Sequence, residues 1–550
     1  MRKSVLALVL VATIYAALAF HILPQDAFFS SDEGLKLIQV QNFVRKGWAD
    51  FALDYPGRWL DPELHFVPIN NPPALIRDGN VYAVYPVFFP LLATPLFSLI
   101  GYAGLYVIPF LSGLLTLLLT WQIARLMDIR GVPVILVLGL CTPLLFYSLL
   151  FWDHTLGTLL STAALLLIVK TTSQPKWPLL LAAGAMLGLS VWARTELYVM
   201  AAIVPIAYFL SCGRRPLSTL ILGLGTLMTL LPLWLFQLIV YGNPIGPHVA
   251  HFASLSYELP VSTNRLAILY YTLLESNSDP ALTFLFTMAF VATTMVLWKP
   301  KLRQNLFLVA ASFGALVLCS LPNLLQAWAG RPLGGLIATT PFLAFSFPTL
   351  SNRDTEDGRR LLLGVFLGYV AVVCIATPVD PGLQWGPRFL LPIFPLATVL
   401  ALRNYRWLAE AAKRASSTSV LTVCLVATLG ISLLFQSCGV RVMQMVKSRG
   451  RQLIEDTALL DSSLVVSDEY GLAQYAAPLF YENQFFYVRS QEEYQRLTEV
   501  FAQNGIQRYA FVTYPVPHRG AVDPLAVGDS YVARRVGHQL FEIAARETGR

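Results

Sequence analysis

The chain has 550 residues, 56% hydrophobic and only 13% charged, with a mean hydropathy of +0.59. An average soluble chain carries about 25% charged residues, so a water-soluble globular fold is excluded and a polytopic membrane protein is indicated. The net charge of +7 does not indicate nucleic acid as a partner, because Lys and Arg lie in short clusters between apolar runs and not along one basic face.

In chain order, Met1-Arg2-Lys3 and the apolar run 5–20 have the form of a signal sequence, and Ala17-Leu18-Ala19 resembles a cleavage site. Multispanning proteins commonly keep such a segment as a signal anchor, and it is read as the first span. A bilayer-crossing helix needs about 20 apolar residues. The runs at 4–23, 104–124, 133–150, 155–170, 177–193, 195–211, 217–240, 281–298, 304–321, 334–350, 360–377, 388–402 and 418–436 come close to that requirement.

A further apolar run, 81–100, holds Pro86, Pro90 and Pro95, which interrupt helical hydrogen bonding. Charge decides its placement. If it lies along the surface, Arg2/Lys3, Arg125/Arg130, Lys170/Lys176, Arg214/Arg215, Lys299/Lys301/Arg303, Arg353/Arg359/Arg360 and Arg403/Arg406/Lys413/Arg414 all fall on one side, as the positive-inside rule requires. If it spans, every cluster after the first flips.

The expectation is therefore an α-helical protein of about 13 transmembrane helices in the cytoplasmic (inner) membrane. Its amino terminus lies inside, its carboxyl terminus lies on the outer (periplasmic or extracellular) side, and 81–100 is a juxtamembrane or re-entrant element. A transmembrane module, 1–437, contains long outer loops at 24–103 and 241–280, and loops of that length are commonly functional. Residues 438–550 are more charged, with strand-like stretches at 464–466, 485–488 and 509–512 between helical stretches near 443–460, 470–480 and 490–504. They predict a small extracytoplasmic α/β domain with a parallel sheet. The six cysteines are scattered, mostly in apolar runs and without a CxxC, and read as small core hydrophobes.

This topology collects ionisable residues at the outer ends of the spans: Asp32 and Glu33, Asp153 and His154, Arg194 and Glu196, Arg331, and Arg388. Such residues are costly near a bilayer, so they pair or act on substrate. A carboxylate can take a proton from an attacking hydroxyl or hold a metal, and arginine can grip phosphate with two parallel hydrogen bonds. Each also has a plainer role. Asp32 and Glu33 suit a helix amino end, as do Asp153-His154; Arg194 and Glu196 suit a structural ion pair, and Arg388 after Pro387 suits an interfacial anchor. His248 and His251, with Glu258 further on, are in reach of one metal if helical, but two histidines without a third placed ligand are more often ordinary loop residues.

The chain resembles the GT-C superfamily of membrane glycosyltransferases, near the group of protein O-mannosyltransferases and the lipid A aminoarabinose transferase. The resemblance rests on the acidic pair Asp32-Glu33 in the first outer loop and the segment Tyr85-Pro86-Val87-Phe88-Phe89-Pro90-Leu91. The span with Leu111-Ser112-Gly113-Leu114-Leu115-Thr116, Asp153 in the second outer turn and the many-helix frame with an outer carboxyl-terminal domain also carry it. It implies a polyprenyl-phosphate-linked sugar donor, with a lipid, polysaccharide or protein as acceptor. Asp32 is then the general base with Glu33 beside it, and Asp153 joins the catalytic group. Arg194, Arg331 and Arg388 are phosphate candidates, and His154, Glu196, His248 and His251 belong to an acceptor or metal region. The juxtamembrane segment lacks the basic residue that follows Pro-Pro-Leu-Gly in many protein mannosyltransferases, which argues against a protein acceptor. Arginine or a divalent metal can stabilise the departing phosphate, and no nucleotide-binding GxGxxG or P-loop is present. The alternatives are a transporter or flippase of lipid-linked sugars, a non-catalytic envelope polysaccharide assembly protein, or an O-antigen-type ligase. A transporter predicts inverted repeats and mid-membrane charges, and neither is evident in the sequence.

Overall fold

Most of the long apolar runs form helices. In the computed structural model, which describes residues 2–69, 74–250, 261–351, 357–376, 384–413, 418–458, 462–513, 522–527, 530–537 and 539–546, seven helices are long and apolar enough to cross a membrane. These are Arg2–Ile22, Tyr102–Leu126, Pro216–Tyr241, Pro280–Trp298, Leu306–Trp328, Asp357–Ala376 and Thr418–Ala458. Shorter apolar helices include His154–Val169, Trp177–Ala193 and Thr195–Ser211. The chain is an integral, polytopic membrane protein.

Three predicted spans are interrupted in the structure, each next to a proline. The run 133–150 is Gly131–Leu140 followed by a separate turn, Leu144–Tyr147. Between them Thr142 Oγ1 donates to the Leu138 carbonyl at 2.6 Å, and Pro143 has no N–H to continue the ladder. The run 334–350 is a short turn, Leu336–Thr339, followed by the 3₁₀ stretch Pro341–Ser351. The run 388–402 begins as the 3₁₀ turn Arg388–Ile393, which contains Pro392, and continues as the helix Phe394–Lys413.

The chain divides into two units, one of Met1–Leu23 with Tyr106–Met445 and one of Pro24–Leu105 with Val446–Arg550. In the first, Trp177–Ala193 packs on Pro216–Tyr241 through glycines. A Cβ on Gly184 would stand 2.0 Å from the Leu222 carbonyl oxygen, and one on Gly225 2.2 Å from that of Leu181. Small residues at such spacing let helix backbones touch where lipid offers no hydrophobic drive for association.

The second unit joins the first long loop to the carboxyl-terminal segment. Strands β1 (Ala74–Arg77) and β2 (Asn80–Ala83) form an antiparallel hairpin, and the proline-rich run continues as the helix Phe88–Ile100. That helix has 13 residues, about 20 Å of rise against a hydrocarbon core of about 30 Å. A five-stranded sheet contains β3 (Leu464–Ser467), β4 (Gln484–Tyr487), β5 (Arg508–Val512), β6 (Tyr531–Arg535) and β7 (Leu540–Ala545), in the order β4-β3-β5-β7-β6. The first three are parallel, as predicted, and the antiparallel β6 and β7 extend one side. Tyr494 and Phe501 of the helix Gln491–Gln503 pack on Phe511 and Tyr509 of the sheet. The predicted helix 443–460 is the end of one helix, Thr418–Ala458, whose stretch 418–436 is apolar and whose later turns carry Arg441, Lys447, Arg449 and Arg451.

Candidate active site

In the second unit the acidic pair opens the helix Ser31–Arg45, and its two carboxylates do different work. Ser30, extended at φ −142°, is the amino cap. Glu33 is fully buried, and its Oε2 accepts from the backbone N–H of Phe29 at 2.7 Å and of Ser30 at 3.2 Å. This is the return half of a capping box. Asp32 stays half-buried, and its Oδ1 accepts from the Tyr85 hydroxyl at 2.7 Å. The Lys36 ammonium, buried one turn on, lies 4.9 Å from the centre of the Tyr85 ring. Tyr85 is a member of the proline-containing segment, which thus meets the acidic pair through a side chain that sequence reasoning quoted but gave no role.

Beneath the helix start lies Lys447, fully buried and past the apolar stretch of its helix. Burial pushes its ammonium down to about 8, against the opposing pull of the Glu33 and Asp26 carboxylates. Asp26 in turn accepts from Arg451 Nε at 3.0 Å. Gly34 lets the helix approach the chain at Gln474, whose carbonyl oxygen would be 1.7 Å from a Cβ at this position.

In the first unit, Asp153 precedes the helix His154–Val169, and Arg194 caps the carboxyl end of Trp177–Ala193. The two meet: Arg194 Nη1 donates to Asp153 Oδ1 at 3.0 Å and its Nε to Glu196 Oε1 at 2.8 Å, with Asp153 and Arg194 both buried. Burial lowers the affinity of Arg194 for its proton, but Glu196 and Asp153 more than offset this and hold the guanidinium charged. His154 Nδ1 lies 3.5 Å from the same Asp153 oxygen, and its ring packs against Tyr147 and Trp152, whose own rings stack at 5.6 Å. The Asp153 partner of Arg194 is 41 residues away, and the shared position of both residues at helix ends was the only sequence signal for it.

Arg388 sits beside this cluster, half-buried at the start of its 3₁₀ turn. Its guanidinium carbon lies 5.4 Å from the Trp152 ring centre and 5.1 Å from that of Phe389, distances at which a cation is held over an aromatic face. Its backbone N–H donates to Gln384 Oε1 at 3.2 Å. The neighbouring Trp385 is fully buried, and its Nε1 donates to Gln436 Oε1 at 3.2 Å. Arg331 is held separately, by Glu275 Oε1 and Gln326 Oε1, each at 2.8 Å. Glu275 lies in the loop 241–280, and sequence reasoning gave it no role.

Of the histidine pair, His248 Nδ1 is 2.7 Å from Thr195 Oγ1, while His251 and Glu258 lie outside the described residues. Among the described residues no group of three or more His, Cys, Asp or Glu side chains is arranged to hold a metal ion.

These elements make up the fold of a polytopic membrane protein. The chain is similar over nearly its whole length to crystal structures of ArnT from Cupriavidus metallidurans. With the undecaprenyl phosphate-bound form it shares a TM-score of 0.51 and 14% identity, covering 98% of both chains. With the apo form the TM-score is 0.50 and the identity 13%, covering 98% of this chain and 97% of the other. No protein-family model matches the sequence, and no curated protein matches it.

Proposed function

We propose that the chain is an integral-membrane glycosyltransferase that moves a sugar from a polyprenyl-phosphate donor to a hydroxyl acceptor on the outer face of the membrane, with Asp32 as general base. The observation that carries this reading is the division of labour in the acidic pair. Glu33, fully buried, accepts from two backbone N–H groups at the helix start, whereas Asp32 is half-buried and accepts from the Tyr85 hydroxyl. The likeness to a structure solved with undecaprenyl phosphate supports the donor class.

In the reaction the acceptor oxygen bonds to the anomeric carbon as the bond from that carbon to the donor phosphate oxygen breaks. The bonding pair leaves with the polyprenyl phosphate, and the acceptor proton passes to an Asp32 oxygen. The leaving group is already anionic, so its departure needs positive charge more than a proton donor. Arg388, half-buried and held over the Trp152 and Phe389 rings, is the side chain proposed for that role. Asp153, Glu196 and His154 then shape the first unit around Arg388 and do not take part in proton transfer.

The test is transfer of labelled sugar from polyprenyl-phosphate donors in membranes holding the wild type or Asp32→Asn, with donor binding measured in parallel. The expected result is donor binding retained and transfer lowered by a factor of about 10² to 10⁴. Normal transfer by the variant overturns the assignment of the base. Failure of the wild type to bind any polyprenyl-phosphate sugar overturns the enzyme reading and favours an assembly role.

A further inference from the structure

The first unit contains a cavity of about 630 Å³ that the transferase reading does not use. It lies where three helices end or begin, at the amino end of Arg2–Ala17, the carboxyl end of Tyr102–Leu126 and the amino end of Gly131–Leu140. Three cations line it, Lys3, Arg125 and Arg130, and all three are exposed. Among the described residues no carboxylate lines it. The rest of the wall is Trp121, Ile129, Val132 and Pro133, with Ser4 and Gly131.

We infer that this cavity binds the phosphate of an anionic glycerophospholipid, with the glycerol and first acyl carbons against the apolar wall. Two of the three helix ends belong to candidate spans, so the cavity lies at the depth where lipid head groups are found. Cationic pockets between the ends of membrane helices are suited to anionic head groups. The walls separate this ligand from a free anion, since a bare phosphate would leave most of the 630 Å³ and its apolar surface unfilled. Gly131 helps keep the floor open. A Cβ there would stand 2.2 Å from Trp121 Nε1 and 2.8 Å from Ser4 Oγ, so any larger residue would push the indole and hydroxyl out of place. Arg125 is also steadied, 6.0 Å from the centre of the Trp121 ring. Arg130, the residue before the helix Gly131–Leu140, makes no side-chain capping bond, so the positive helix end adds to the field of the cations.

The experiment uses purified full-length protein, stripped of lipid and titrated with phosphatidylglycerol, phosphatidylcholine or inorganic phosphate, with bound ligand counted by native mass spectrometry. The wild type is expected to retain phosphatidylglycerol in preference to phosphatidylcholine. Arg125→Gln with Arg130→Gln is expected to weaken that retention roughly 25-fold, about five-fold for each cation removed, while the paired lysine replacements keep most of it. Val132→Trp leaves every cation in place and fills the cavity, and it is expected to abolish retention. Equal retention of the two lipids, or unchanged retention in both the glutamine pair and Val132→Trp, overturns the site. Displacement of phosphatidylglycerol by an equal concentration of inorganic phosphate overturns the lipid and leaves a free-anion site. None of these outcomes depends on the transferase reading.

Discussion

Replacing Glu33 by alanine separates the two acids of the pair. The side chain is fully buried and accepts two backbone hydrogen bonds, from Phe29 and Ser30. Each buried donor left without a partner costs about 1–3 kcal/mol, so the variant should lose on the order of 2–6 kcal/mol of local stability. The nearby Lys447 ammonium also loses one of the two carboxylates that favour its charged form, which moves the cost toward the upper end. Hydrogen exchange of the amides in Ser31–Arg45, followed by mass spectrometry in detergent, reads this directly. At the lower bound the helix should exchange roughly 30-fold faster than in the wild type. Asp32→Asn, whose amide oxygen can still accept from Tyr85, should leave exchange within about two-fold while transfer collapses. Unchanged exchange in Glu33→Ala together with lost transfer would refute the reasoning and move the chemistry to Glu33.

Arg388→Lys keeps the charge but loses the planar fork over Trp152 and Phe389. It should weaken donor binding by about ten-fold or more without altering the melting midpoint, as a donor titration would show. Lys447 sets a pH dependence. Its folded value of about 8 lies below the unfolded 10.5, so between those values the unfolded chain holds the extra proton and stability rises with pH. The rise should be about 1.5 kcal/mol, measured by hydrogen exchange from pH 8 to 9.5 after correction for intrinsic rates, and should vanish in Lys447→Met. Gly184→Val drives a side chain into the Leu222 carbonyl, whereas Gly223→Val meets nothing within 4 Å. The first should lower the thermal midpoint by several degrees, as expected for overpacking of about 1–3 kcal/mol, and the second should leave it unchanged by differential scanning fluorimetry.

The helical frame was legible in the sequence because hydropathy over about 20 residues integrates a strong signal. It failed at Pro143, Pro341 and Pro392, where hydropathy ignores the missing N–H; Pro109, Pro205, Pro232 and Pro322 lie inside continuous helices, so a proline alone did not mark the breaks. The parallel strands β3, β4 and β5 carry consecutive apolar residues that mark them. Strand β6 ends Arg534-Arg535 and is mostly exposed at the sheet edge, so nothing in its composition announced a strand. In the site, the spacing of Ser30 and Glu33 is that of a capping box, and helix capping was one of the two readings of the pair. Which of the two acids capped needed coordinates. The contact of Asp32 with Tyr85 joins residues 53 apart, and such pairings have no local pattern to read.

The second unit draws its residues from both ends of the chain, with Tyr106–Met445 lying between its two halves. A ribosome adding 5–20 residues each second needs on the order of half a minute to make those roughly 340 residues. Throughout that interval Gly34 has no Gln474 to approach, and Glu33 lies near no Lys447. The helix bearing Asp32 must therefore wait, incompletely packed, until the segment after Met445 is made. Any nascent product cut short before about residue 446 lacks the surface that completes this helix, so assembly of the unit doubles as a check that the whole of Tyr106–Met445 has been made.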